Sequence, residues 1–103
     1  MSNDVTSSER IWTLDTASAT AIVAAGTQVI VRAIEFRPAA VDDDLVIQEH
    51  NSAGSAITAI SMKADHAAAE PIWRDFGTKG RRLNGFVLST IDGGSAIVYL
   101  GER

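Results

Sequence analysis

The chain predicts an all-β fold, an antiparallel β-sandwich or barrel of about eight strands. Three observations predict it. Short runs of β-branched, aromatic and long apolar residues recur along the chain, the form that suits a pleated, half-buried surface. Clusters of Gly, Asn, Asp and Ser separate them at intervals of roughly eight to twelve residues. The two prolines, Pro38 and Pro71, fall between runs rather than inside them, as expected of a residue with no N–H to give to a ladder.

In chain order, residues 1–9 carry no periodicity and are expected as a flexible N-terminal arm, with residues 10–103 as one sandwich domain. Arg10 to Asp15 alternates and is expected as a strand. Asp15 to Ser18 is a turn cluster. Ala19 to Ala24 is expected as a second short strand, although its alanines also allow a helical turn, and it is broken at Ala25-Gly26-Thr27. Thr27 to Arg37 is the longest β signal, with Ile30, Arg32, Ile34 and Phe36 on one face and Val29, Val31, Ala33, Glu35 and Arg37 on the other. Leu45 to His50 and Ala56 to about Ala64 form strands around the turn Asn51 to Ser55. The helix-friendly run His66 to Glu70 is a loop or one helical turn stopped at Pro71, and Ile72 to Phe76 is a short strand.

The C-terminal stretch carries the strongest signal. Leu83–Ile91 and Ala96–Leu100 flank Asp92-Gly93-Gly94-Ser95, whose glycines suit a tight hairpin turn. Both faces of each run are largely apolar. The hairpin is therefore expected to be central, covered on one side by a second sheet and on the other by a neighbouring subunit. Phe86, Leu88, Ile97 and Tyr99 are the residues assigned to that second face, and Trp12 and Trp73 join them as interface candidates because Trp and Tyr are enriched at interfaces. A chain of 103 residues is also short for a self-sufficient core, which favours an oligomer.

Composition narrows the function classes. The formal net charge is -4, which argues against a nucleic-acid partner. There is no cysteine, so neither a disulfide nor a thiolate metal site is available. The start of the chain lacks the basic-then-apolar layout of a signal peptide, and no run is long and apolar enough for a membrane span, so no membrane partner is expected. No nucleophile elbow, phosphate loop or histidine pair at ligand spacing occurs, and the chain is expected to be neither an enzyme nor a cofactor or metal carrier. Asp42-Asp43-Asp44 reads as a solvated acidic turn, because consecutive side chains splay apart and the spaced oxygen ligands of a calcium loop are missing. His50 reads as a strand residue facing solvent or an interface. Lys79, Arg81 and Arg82 form a basic cluster, either a solvated loop or a patch for acidic residues such as the aspartates 42–44 of an adjacent copy.

The order of these features resembles a known family. A long apolar strand is followed by LVIQEHNSAGSAI, then PIWRDFG, then LNGFVLSTIDGGSAIVYLG. Across Thr27 to Gly101 this resembles small jelly-roll virion proteins of tailed bacteriophages, in which a Gly-led apolar strand, a Gly-rich turn and a terminal strand with a tyrosine close the sandwich. The resemblance implies a jelly-roll-like sandwich and a homotrimeric capsid decoration, or cement, protein. Its partner would be the major capsid protein, and it would assemble in the host cytoplasm onto the virion surface. The polar residues Ser2, Asn3, Asp4, Val5, Thr6, Ser7 and Ser8 would then be the capsid-clasping arm. The competing expectation is a receptor- or glycan-binding jelly-roll module of a phage fibre or tail.

Overall fold

The computed structural model describes residues 3–6, 10–18, 20–64 and 71–101. It is all-β, with seven strands: β1 (Ile11–Leu14), β2 (Val23–Arg37), β3 (Asp44–His50), β4 (Ala56–Lys63), β5 (Ile72–Asp75), β6 (Arg81–Ile91) and β7 (Ser95–Leu100). All pairings are antiparallel, in the order β1-β7-β2-β6-β3-β4, with β5 beside β2. The strands expected around Asn51–Ser55 and at Ile72 are present. The run expected at His66 to Glu70 lies outside the described residues.

Strand β2 organises the sheet. Along one edge it pairs first with β6, from Val23 to Val31, and then with β5, from Ala33 to Phe36. Along the other edge its C-terminal half pairs with β7. One strand thus belongs to two four-stranded wings, β1-β7-β2-β5 and β2-β6-β3-β4. The sheet curls so that the wings share one core. Trp12 of β1 meets Phe86 of β6 edge-to-face, with ring centroids 5.1 Å apart and planes at 88°, although two strands separate β1 from β6 in the sheet. Leu14, Ile34, Phe36, Leu45, Ile47, Ile60, Leu83, Leu88 and Val98 fill the same cluster. The nesting of β1·β7 around β2·β6 around β3·β4 is jelly-roll-like.

Val23 and Ala24 of the second expected strand run on into the expected strand Thr27–Arg37 as one long element, so the described residues form seven strands rather than eight. Ala25-Gly26-Thr27 does not end the strand but bulges it. Val23 pairs with Phe86 and Gln28 with Asn84, so four residues of β2 bow out opposite Gly85. Gly26, at φ +96°, makes the turn, and Asn84 Oδ1 accepts its N–H at 2.7 Å. Asn84 also donates through Nδ2 to the His50 carbonyl at 2.9 Å and through its backbone N–H to Glu49 Oε1 at 3.1 Å. His50, half-buried, accordingly packs over Gly85, where a Cβ would come within 2.5 Å of its Nδ1.

The faces of β2 also differ from strict alternation. Val29 and Val31 point into the core, and so do Ile34 and Phe36. A second register shift, between Val31 and Ala33 opposite β7, inserts one residue and flips the parity. Ile30 and Arg32 are thereby turned outward.

The expected β6–β7 hairpin is not formed. The two strands are consecutive in sequence, but β6 pairs with β2 and β3 while β7 pairs with β1 and β2. Asp92 to Ser95 is an arch between the wings. Gly94, at φ +73°, packs against the Arg37 carbonyl, and Gly93 packs against the Asp43 carboxylate. A glycine turn permits tight reversal but does not dictate it, and here close approach to the end of β2 uses the same freedom.

Phe86 and Leu88 are the core face of β6, and Trp12 is the core face of β1. Removing the Phe86 ring should therefore destabilise the isolated chain. Phe86→Ala is expected to cost about 3–5 kcal/mol in urea unfolding, as buried Phe truncations do. A change under about 1 kcal/mol would place Phe86 on the surface instead.

Candidate functional site

The feature that stands out on the surface is the outward face of the β1-β7-β2-β5 wing. Antiparallel registry aligns Thr13, Ile97, Glu35 and Trp73 in one row, and Ile11, Tyr99, Ala33 and Asp75 in the next. Trp73 and Tyr99 stack diagonally across β2, with ring centroids 5.8 Å apart and planes 16° from parallel. The small Ala33 between them leaves room for this. Trp73 remains 57% exposed and Ile11 43%, while Ile97 and Tyr99 are half-buried. The result is an apolar, partly aromatic platform open to solvent.

Glu35 lies in the middle of this platform and is only 6% exposed. Arg37, two residues on and on the same face, clasps it: Nε lies 3.2 Å from Oε2, and NH2 donates to Oε1 at 3.2 Å. Both carboxylate oxygens thus face one guanidinium, the fork geometry that tolerates partial burial. The Arg37 side chain is itself mostly exposed, so the pair anchors the platform edge to water.

The six residues expected at an interface divide cleanly. Trp73, Tyr99 and Ile97 share the platform. Trp12, Phe86 and Leu88 are in the core of a single chain and have no surface to offer a partner. The expectation that Phe86 and Leu88 need a neighbouring subunit to cover them is corrected by the curl of the sheet, which brings β1 over β6. Of the arm expected to be flexible, the described residues Asn3 to Thr6 lie against β1 and the turn after it. Asp4 and Thr13 exchange backbone hydrogen bonds of 2.8 and 2.9 Å. Asn3 Oδ1 accepts the N–H groups of Asp15 and Thr16 at 2.8 and 2.9 Å, and its Nδ2 donates to the Thr16 carbonyl. Val5 packs against the core. Thr6 donates its N–H to Asp4 Oδ1 at 3.2 Å. Ser2, Ser7 and Ser8 lie outside the described residues.

Ile11, Ala33 and Glu35 complete the platform but were not singled out by the sequence. Their strands carry ordinary alternation, and only the long-range registry of β1 with β7 and of β2 with β5 brings them together.

The three aspartates have three separate jobs. Asp42 adopts φ +69°. Asp43 Oδ2 accepts the N–H groups of Ala39 and Ala40 at 2.9 and 2.8 Å, holding the loop. Asp44 opens β3, and its Oδ1 is shut from solvent with no hydrogen-bond partner. Asp92 stands beside it. The Asp92 carboxyl is held above its ordinary value first by a hydrogen bond to Asp44 that only the protonated acid can donate, then by burial and by the charges of Asp44 and Asp43. Among the described residues no group of three His, Asp or Glu side chains is placed to hold a metal ion. His66 is outside the described residues. No helix among the described residues is long and apolar enough to cross a membrane.

No family model, no curated protein and no solved structure matches the chain.

Two measurements follow from this geometry. An acid with a raised folded pKa stabilises the fold when protonated and weakens it once ionised. Asp92→Asn should therefore raise the melting temperature at about pH 7, and the gain should disappear by about pH 3, where the wild-type acid is itself protonated. An equal gain at both pH values would contradict the carboxyl pairing. Trp73→Ala, by contrast with Phe86→Ala, should cost no more than about 1.5 kcal/mol, the scale of an aromatic pair contact.

Proposed function

We propose that this chain is a structural virion protein, a trimeric decoration (cement) protein that binds the outside of a tailed-phage head and braces its shell. The single observation that carries the reading beyond resemblance is the open apolar platform of Ile11, Ile97, Tyr99 and Trp73, which lies on a well-filled core. Such surfaces mark association sites, and aromatic residues are the side chains on which association energy concentrates. The mechanism is mechanical: copies cross-link shell subunits through buried apolar area and resist outward pressure.

Within a trimer the contact is heterologous, so the platform meets a different patch on its neighbour. Among the described residues the other large apolar side chains that are well exposed are Val41 and Ile57, and these are the candidate counterparts. The docking of Asn3 to Thr6 on their own β1 moves the weight of the reading from the arm to the platform.

The exposed Trp73–Tyr99 stack also favours a second reading, a glycan-binding jelly-roll module of a fibre or tail. Aromatic faces on an open surface suit the apolar faces of sugar rings. Saturable glycan binding that is lost in Trp73→Ala would support it over the first.

For the decoration role, light scattering of the full chain should give the mass of a trimer, and the protein should co-sediment with mature phage heads. Trp73→Asp and Tyr99→Asp should each shift the trimer to monomer while leaving the far-ultraviolet circular dichroism unchanged. A strict monomer that ignores capsids would overturn the proposal.

A further inference from the structure

A second surface, independent of the platform's proposed role, lies where β2, β6 and β7 meet. A cleft of about 540 Å³ is lined by Arg10, Ile30, Arg32, Thr78, Lys79, Arg82 and Gly101. Four cations from three separate parts of the chain converge there, Arg10, Arg32 and the neighbours Lys79 and Arg82, in a chain whose formal net charge is -4. The convergence has a structural cause. The register shift at Arg32 turns Ile30 and Arg32 outward, and Arg82 pairs directly with Ile30 across β2 and β6. Ile30 forms a recessed floor. Gly80 and Gly101 press against it from either side, where a Cβ at either position would come 2.8 Å from Ile30 Cγ2. The glycines keep the cleft deep.

Three of these cations, Arg32, Lys79 and Arg82, are held there without neutralisation. Among the described residues no carboxylate pairs with Arg32, Lys79 or Arg82, and the Arg82 guanidinium makes one hydrogen bond, to Gln28 Oε1 at 3.3 Å. Like charges gathered in a concave site repel one another, and an anion that bridges them relieves that cost. Arg32 and Arg82 bring planar forks suited to tetrahedral oxyanions, and Lys79 adds a mobile point charge. One monovalent anion would leave most of this charge unanswered.

We propose that this cleft binds a small polyanion bearing adjacent phosphate or sulfate groups, held by Arg32, Lys79 and Arg82 over the Ile30 floor. The acidic loop of a second copy fits less well. Asp43 is committed to the Ala39 and Ala40 N–H groups and Asp44 Oδ1 is buried, so Asp42 and Asp92 alone remain to fill the site. A nucleic-acid strand fits less well too, because the cations are confined to one cleft and form no stripe along the surface. A contiguous smaller cleft shares Arg10 and Arg32 and ends at Tyr99, so a larger ligand would reach the aromatic stack.

The test is calorimetric titration of the full chain with pyrophosphate, with sodium chloride adjusted to constant ionic strength. Saturable one-site binding is expected, together with a rise in melting temperature that grows with pyrophosphate concentration. Arg32→Ala and Arg82→Ala should each weaken binding by about tenfold or more, the scale of one charge-assisted contact. Arg32→Lys and Arg82→Lys should recover part of the loss, and Lys63→Ala, at an exposed position of β4 outside the cleft, should leave binding unchanged. Three results would overturn the proposal: no binding beyond the chloride control, equal binding by the Arg32 and Arg82 variants, or tighter binding of an oligothymidylate than of pyrophosphate. Self-association that pyrophosphate competes away would overturn it in favour of a second copy.

Discussion

Pairing along the full length of β2 is the constraint on which the rest of the molecule depends. Fifteen residues of one strand hold β6 and β5 on one edge and β7 on the other. A flat sheet built this way could not close on a core. The two irregularities in β2 solve that problem. The Ala24–Thr27 bulge bends one end, and the shift at Arg32 restores the inward direction of Ile34 and Phe36. Asn84 fixes the first bend by bonding to both β2 and β3. Through these devices Trp12 is carried over Phe86, and the wings acquire a common interior.

The same devices create the two surfaces with functional interest. The C-terminal half of β2 sets Glu35 and Ala33 between β7 and β5, so that Trp73 and Tyr99 can meet above Ala33. The shift at Arg32 turns Arg32 toward Arg82 and leaves Ile30 as a floor. Platform and cleft are thus neighbouring consequences of one strand changing its parity. Both carry a local cost. An exposed indole gives up burial that would stabilise the fold, and unneutralised cations repel. Such features are common where a surface serves a partner.

Much of the fold was legible in the sequence, and the reasons differ by element. β-branched runs and Asn/Gly turns located β3, β4 and β5, because these signals are local. The hairpin expected at Asp92-Gly93-Gly94-Ser95 failed because a flexible turn does not name the strand that pairs beside it, and β2 competes for that place. Strict alternation misassigned Ile30 and Arg32, since the one-residue shift at Arg32 leaves no trace in composition. Of the interface candidates, Trp73, Tyr99 and Ile97 were legible as apolar residues on a strand with one face to spare. Phe86, Leu88 and Trp12 were not separable from them, because the sequence cannot show which face of a two-faced apolar strand is covered within the chain. Arg10 and Arg32 were invisible as partners of Lys79 and Arg82, being far from them in sequence.

The proposed association would use the outward face carrying Trp73, whereas Trp12 is already sealed inside the chain. In a Trp12→Phe background the indole at 73 reports alone, and acrylamide quenching of its fluorescence can be followed as protein concentration rises. Strong quenching in dilute solution, falling as light scattering records assembly, is the predicted result. Assembly that leaves the quenching of Trp73 unchanged would contradict the account.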